Sequence, residues 1–176
     1  MELPNKKYSI IYSDPAWDYK GQKQHNKKES NKSVIDHYPT LTLKELKNIK
    51  VETITEDDCL LFMWTSSPHL DQAIDLGKSW GFNYITIAFV WDKQKVNPSY
   101  YTMSQVEICL LFKKGKIPQP RGKRNIRQFI SSCREKHSKK PDEIRDRINE
   151  MFPEQSKIEL FARDTYTGWD KWGNEC

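Results

Sequence analysis

The stretch Tyr8-Ser9-Ile10-Ile11-Tyr12-Ser13-Asp14-Pro15-Ala16-Trp17 limits what this chain can fold into more than any other. Residues 8–12 are β-branched and aromatic, too few for a helix, and predict a strand buried on both faces. Pro15 fixes its own φ and pushes Asp14 toward extended backbone. The ladder therefore stops, and a carboxylate is held at the carboxyl end of the strand. In open α/β sheets that edge is where ligands bind. Trp17 adds a flat ring beside the acid, a pairing that suits a planar base carrying an amine. Asp-Pro also starts ordinary turns, so the stretch alone supports both a held acid and a plain turn.

The other segments alternate in type. A polar loop over 18–36 carries five lysines and no hydrophobic period, and reads either as a functional lid or as a solvated segment. Thr42-Leu43-Lys44-Glu45 is a capping box that opens a helix to about Lys50. Residues 59–64 predict a second buried strand. A helix starts at Ser67-Pro68, with Leu70, Ala73, Ile74 and Gly77 on its inner face, and Gly81 stops it. Strands follow at 82–91 and 106–112, joined by a second polar loop over 92–104. A late helix opens at Pro141-Asp142-Glu143, with Ile144, Ile148 and Met151 facing inward and Pro153 as its end, and a last strand covers 157–162. Strands and helices in this order predict an α/β sheet. A length of 176 residues fits a single domain over 1–176.

Charge points to a partner. The formal net charge is only +5, from 29 basic and 24 acidic residues. Placement matters more: Lys113, Lys114, Lys116, Arg121, Lys123, Arg124 and Arg127 share one Gly- and Pro-broken stretch with no acid among them. Such a loop suits phosphate backbones, against the alternative of a solubilising surface. No apolar run approaches the roughly eighteen residues of a membrane helix, so no membrane partner and a cytoplasmic location are expected. Cys59, Cys109, Cys133 and Cys176 form no C-x-x-C pair and read as reduced thiols. His25, His37, His69 and His137 lack ligand spacing, and no metal is expected.

Three separated pieces resemble one family. Asp14-Pro15-Ala16-Trp17 after a strand, Ser138-Lys139-Lys140-Pro141-Asp142-Glu143-Ile144 opening a late helix, and Ile158-Glu159-Leu160-Phe161-Ala162-Arg163 near the end are similar to the adenine N6-methyltransferases named after the seventy-kilodalton catalytic subunit of the messenger-RNA adenosine methyltransferase. His37-Tyr38-Pro39-Thr40 and Trp172-Gly173-Asn174 also resemble segments of that family. The resemblance implies a Rossmann-like S-adenosylmethionine-dependent methyltransferase sheet in permuted motif order, with helices on both faces. It implies Asp14, Pro15, Ala16 and Trp17 as the catalytic element, with Tyr38 closing the substrate pocket. Lys140, Phe161, Arg163, Thr165 and Asn174 would contact S-adenosylmethionine, while Arg121, Lys123 and Arg124 would meet nucleic acid. Two positions depart from the family pattern: Ala16 replaces its second proline, and Asp164-Thr165-Tyr166 stands where relatives often carry His-Asn.

The chemistry explains the residue types. The exocyclic amine of adenine is a poor nucleophile because its lone pair is delocalised into the ring. Hydrogen bonds from it to Asp14 and to the Pro15 carbonyl would favour a more tetrahedral nitrogen, with Trp17 stacked on a base held out of its helix. The resemblance favours DNA over RNA as substrate. The alternatives are RNA adenosine methylation and a catalytically silent nucleic-acid-binding member, which would usually lose the acid that this chain keeps. Relatives often pair, so a homo- or hetero-dimer is an open expectation, with Trp80 or Trp169 as interface residues if exposed.

Overall fold

A computed structural model describes residues 2–18, 40–99, 101–134 and 139–173. Strands β1 (Tyr8–Ser13), β2 (Thr55–Thr65), β3 (Asn83–Pro98), β4 (Met103–Lys114), β5 (Phe129–Ser131), β6 (Lys157–Leu160) and β7 (Asp170–Trp172) form one seven-stranded sheet in the order β5-β3-β4-β2-β1-β6-β7. β1 lies between β2 and β6 and is parallel to both. β4 is antiparallel to its neighbours β2 and β3, whereas β5 runs parallel to β3 and β7 to β6. The helices are α1 (Leu43–Asn48), α2 (Leu70–Ser79) and α3 (Glu143–Met151).

The period of two along β1 sorts its side chains to opposite faces. Ile11 joins a core with Leu46 of α1 and Ala73 and Leu76 of α2, while Ile10 and Tyr12 join Ile144 and Ile148 of α3. Helices therefore cover both faces, as the family resemblance implies. The capping box forms as read: Glu45 N–H donates to Thr42 Oγ1 at 3.3 Å, and Thr42 N–H donates to Glu45 Oε2 at 2.8 Å. Gly77 lets α2 lie close on the sheet, because a Cβ there would come within 2.4 Å of the Phe112 ring. Among the described residues no helix is long and apolar enough to cross a membrane.

Several expectations change. The predicted loop over 92–104 is instead a hairpin extension of β3 and β4, in which Asp92 pairs with Val106 and Asn97 with Ser104 across a bulge. Its arms run past β2 and β5, so most of the described side chains from Gln94 to Gln105 are exposed and no apolar alternation marks them, although Lys93 at the base of the hairpin is buried. Asp92 holds the bulge by accepting from Gln94 N–H (2.9 Å), Gln105 Nε2 (2.7 Å) and Ser131 Oγ (2.9 Å). Lys113 and Lys114 belong to β4, so the irregular basic segment starts after them. β5 and β7 carry no signal in the sequence, since three residues are too few to show a period. Leu70 is exposed, and Leu76 takes the inner position instead. Trp80 and Trp169 are both buried, their indole N–H groups donating to Leu46 O and Asn149 Oδ1, so neither offers an exposed interface ring.

Candidate active site

Register places Asp14. Ser13 lies opposite Met63 of β2 and Leu160 of β6, so the next residue leaves the sheet at the carboxyl edge of three parallel strands. The chain departs from β1 toward β2 on one side and returns as β6 on the other. That reversal is the place where open α/β sheets form a ligand crevice. Beyond Pro15 the backbone closes a tight turn: Trp17 N–H donates to Pro15 O, and Leu41 N–H to Ala16 O, both at 2.9 Å. The Asp14 side chain remains 18% exposed, open enough for a ligand to reach.

Trp17 is fixed rather than free. Its indole N–H donates to Trp64 O at 3.2 Å, and one face stacks on His69 with ring centres 5.6 Å apart. His69 Nε2 faces Asp18 O, an acceptor only, so it carries the proton and Nδ1 accepts from Ser66 Oγ at 2.9 Å. The ring is 5% exposed and forms a wall of the edge.

Lys140 comes from the segment ahead of α3 and meets Asp14 directly, Nζ to Oδ2 at 2.8 Å. The same ammonium lies 3.2 Å from Glu107 Oε2, and the other Glu107 oxygen is 3.2 Å from Lys93 Nζ. Lys140 also sits over the Trp64 ring, 5.7 Å from its centre. Burial works against the charge on Lys140, but Asp14 and Glu107 outweigh it and raise its pKa above the ordinary lysine value. Burial likewise opposes ionisation of Glu107, yet Lys140 and Lys93 hold that carboxyl below its usual range. The thiol of Cys109 is pushed well up by burial and by the Asp14 charge, which makes it inert as a nucleophile. Glu107 and Lys93 escape sequence reasoning. Glu107 is the one acid inside the apolar run 106–112, a signal present in the sequence, whereas Lys93 falls in the predicted polar loop over 92–104.

The remaining expected residues divide between the two edges: Phe161, Arg163 and Thr165 follow β6 at this one, whereas Arg121 and Lys123 pack on the last turn of α3 and the turn leading into β6, at the opposite one. Phe161 follows β6 directly, with φ of +61°, and packs edge-on to Trp172 at 5.5 Å. Arg163 is half-buried and Thr165 exposed, its hydroxyl accepting from Lys171 at 3.0 Å. Glu159 on β6 is gripped by Arg145 through two hydrogen bonds of 2.7 and 2.6 Å. Lys123 is exposed and paired with Glu150 at 3.0 Å, and Arg124 is exposed. Arg121 is half-buried over the Phe152 ring, at the rim of an apolar cavity of about 300 Å³ beneath the basic segment. Tyr38 and Asn174 lie outside the described residues. No group of His, Cys, Asp and Glu suited to a metal ion occurs among the described residues.

The MT-A70 family model matches residues 8–175. Over 99% of its length the chain is 53% identical to the Type II methyltransferase M.MunI of Mycoplasma sp, of which it covers 80%. It is 26% identical to the N(6)-adenosine-methyltransferase catalytic subunit METTL3 of Homo sapiens and 24% identical to the N(6)-adenosine-methyltransferase MT-A70-like protein of Arabidopsis thaliana, in each case over 96% of the chain. It spans 28% and 24% of those two longer proteins.

Proposed function

The chain belongs to the MT-A70 family, and from that membership we propose that it transfers a methyl group from S-adenosylmethionine to the N6 amine of adenine in DNA. Membership makes it a methyltransferase. The observation that carries the specific reading is Asp14, held at the carboxyl end of β1 where the strand order reverses, within reach of solvent and braced by Lys140. Preference for DNA rests on the 53% identity to a Type II methyltransferase, against 26% to METTL3.

The residues at the edge fit a donor of this kind. Ser13 Oγ is fully buried and has no hydrogen-bond partner among the described residues. It sits beside the end of β6, where a bound polar group would satisfy it. Phe161 offers an aromatic surface at the same edge, and we assign cofactor contacts to Phe161, Arg163, Thr165 and Asn174. Lys140 would then brace Asp14 besides any contact with the donor. S-adenosylmethionine, when bound, supplies an electrophilic methyl group on a cationic sulfur.

Asp14 does the rest of the chemistry. Its carboxylate accepts hydrogen bonds from the adenine amine, keeping the nitrogen lone pair available; as the new N–C bond forms and the methyl–sulfur bond breaks, the amine proton becomes acidic and leaves through Asp14 to water. Pro15 O already accepts from Trp17 N–H, but a carbonyl has a second lone pair for the amine. Trp17, clamped between Trp64 O and His69, walls the pocket so that the base cannot tilt. We place the activity in the cytoplasm.

Methyl transfer from radiolabelled donor, compared on double-stranded DNA, single-stranded DNA and RNA, tests this reading. Labelled N6-methyladenine in DNA is expected; predominant labelling of RNA would overturn the substrate, and none at all would favour a silent binding protein. The exposed cations of the basic segment are assigned to the phosphate backbone. Replacing Arg121, Lys123 and Arg124 together by Gln should flatten the slope of log affinity against log salt by about one to three. The lower end applies if Glu150 already neutralises Lys123 in the free protein and Arg121 stays over the Phe152 ring, which leaves Arg124 alone. Fluorescence anisotropy across a salt series reads the slope, and an unchanged slope would return the segment to a solvated surface.

A further inference from the structure

We propose that Glu107, braced by Lys93, is a positioning residue that balances the charge around Asp14, so that the site accepts a cationic sulfonium donor in preference to its neutral thioether product. This rests on the donor reading above.

Four segments distant in the chain converge here: Asp14 after β1, Lys93 and Glu107 on the two arms of the β3–β4 hairpin, and Lys140 ahead of α3. The chain of contacts runs Asp14 Oδ2 to Lys140 Nζ (2.8 Å), Lys140 Nζ to Glu107 Oε2 (3.2 Å), and Glu107 Oε1 to Lys93 Nζ (3.2 Å). Lys140 and Lys93 are 9% and 7% exposed, and the Glu107 side chain 18%. Water therefore screens these charges poorly, and their sum matters.

That sum is zero, two ammonium groups against two carboxylates. Without Glu107, two buried cations would face Asp14 alone and leave the edge with one net positive charge. Such a site repels a sulfonium and also opposes the positive charge that methyl transfer moves onto the adenine nitrogen. Without Lys93 the balance tips the other way. A second carboxylate is thus what allows a lysine to orient Asp14 without cancelling its attraction for a cation.

A plain structural staple at the hairpin base would use the same contacts. The two roles separate because S-adenosylmethionine and S-adenosylhomocysteine are nearly the same shape and differ by one methyl group and one positive charge. A staple that loosens weakens both ligands alike, whereas a charge imbalance separates them.

The experiment is calorimetric titration of both ligands into the full chain and into Glu107→Gln, Lys93→Met and the double variant, each checked for folding by circular dichroism. An uncompensated unit charge, at an effective dielectric of about 20, changes the affinity for a cation by about tenfold. The ratio of Kd for S-adenosylmethionine to Kd for S-adenosylhomocysteine should therefore rise about tenfold in Glu107→Gln and fall in Lys93→Met. It should return close to the parent value in the double variant, which is neutral again. A ratio that stays constant across variants that still bind would overturn the charge-balance role and leave the donor reading intact. A parent protein that binds neither ligand would overturn both. Should Glu107→Gln fail to fold, Lys93→Met and the double variant still decide the matter.

Discussion

Asp14→Asn lowers methyl transfer by at least about a hundredfold while leaving the fold in place. Asparagine keeps the shape of the side chain and can still accept one hydrogen bond, but it loses the charge that stabilises the amine as it becomes cationic. Removing one preorganised electrostatic partner of a transition state costs about 10²- to 10³-fold in turnover. The fold survives because Lys140 is not orphaned, retaining Glu107 at 3.2 Å and the Trp64 ring. The stability lost is that of one charged hydrogen bond, about 1.5–3 kcal/mol, and the thermal transition stays cooperative. Single-turnover kinetics under saturating donor separates the chemical step from binding. A variant that still turns over within threefold of the parent would remove Asp14 from the mechanism.

The largest stability loss is expected at Arg145→Met. Arg145 on α3 donates twice to Glu159 on β6, and both residues are about nineteen-twentieths buried. The guanidinium also lies 5.4 Å from the ring centres of Tyr12 and Tyr166. A buried ion pair adds little over an apolar pair of the same shape, yet removing one partner strands the other charge without water and costs about 3–5 kcal/mol. Against a total stability of about 5–15 kcal/mol that is a large share. For a domain of this size it lowers Tm by roughly 6–20 °C. Adding Glu159→Gln removes the stranded charge and should recover much of the loss, which a thermal melt of the single and double variants measures. A shift below about 2 °C in the single variant would mean that Glu159 finds another partner or protonates at little cost. Because α3 starts three residues after Lys140, loosening it should also reduce activity under conditions where the variant remains folded.

The basic segment shows how context revises a local reading. Its cations share their stretch of chain with no acid, but Glu150 at the end of α3 pairs with Lys123, and Asp58 on β2 accepts from Lys116 N–H at 2.7 Å. Arg121 covers an aromatic ring instead of facing solvent as a free charge. The loop is thus anchored to the body of the protein at several points, and Arg124 and Arg127 are its more open cations.

Local chemistry was legible along the chain because it acts over a few residues. A β-branched run followed by Asp-Pro can do little except end a strand in a carboxylate, Thr42 and Glu45 reciprocally satisfy the first turn of a helix, and a late Pro-Asp-Glu opens another. Those signals, with the family motifs, were enough for the α/β class, for the two helix-covered faces and for Asp14 as the centre of interest. Sheet order was out of their reach. Only pairing register puts β1 between β2 and β6 and makes its end a crevice, and only folding brings positions 14, 93, 107 and 140 into one set of contacts. Ion pairs between residues so far apart cost chain entropy that no short window records, and the packed sheet supplies the apolar burial that offsets it. The acid and Lys140 could therefore be found by reading, whereas their contact with each other, and with Glu107 and Lys93 beyond, had to be found by folding.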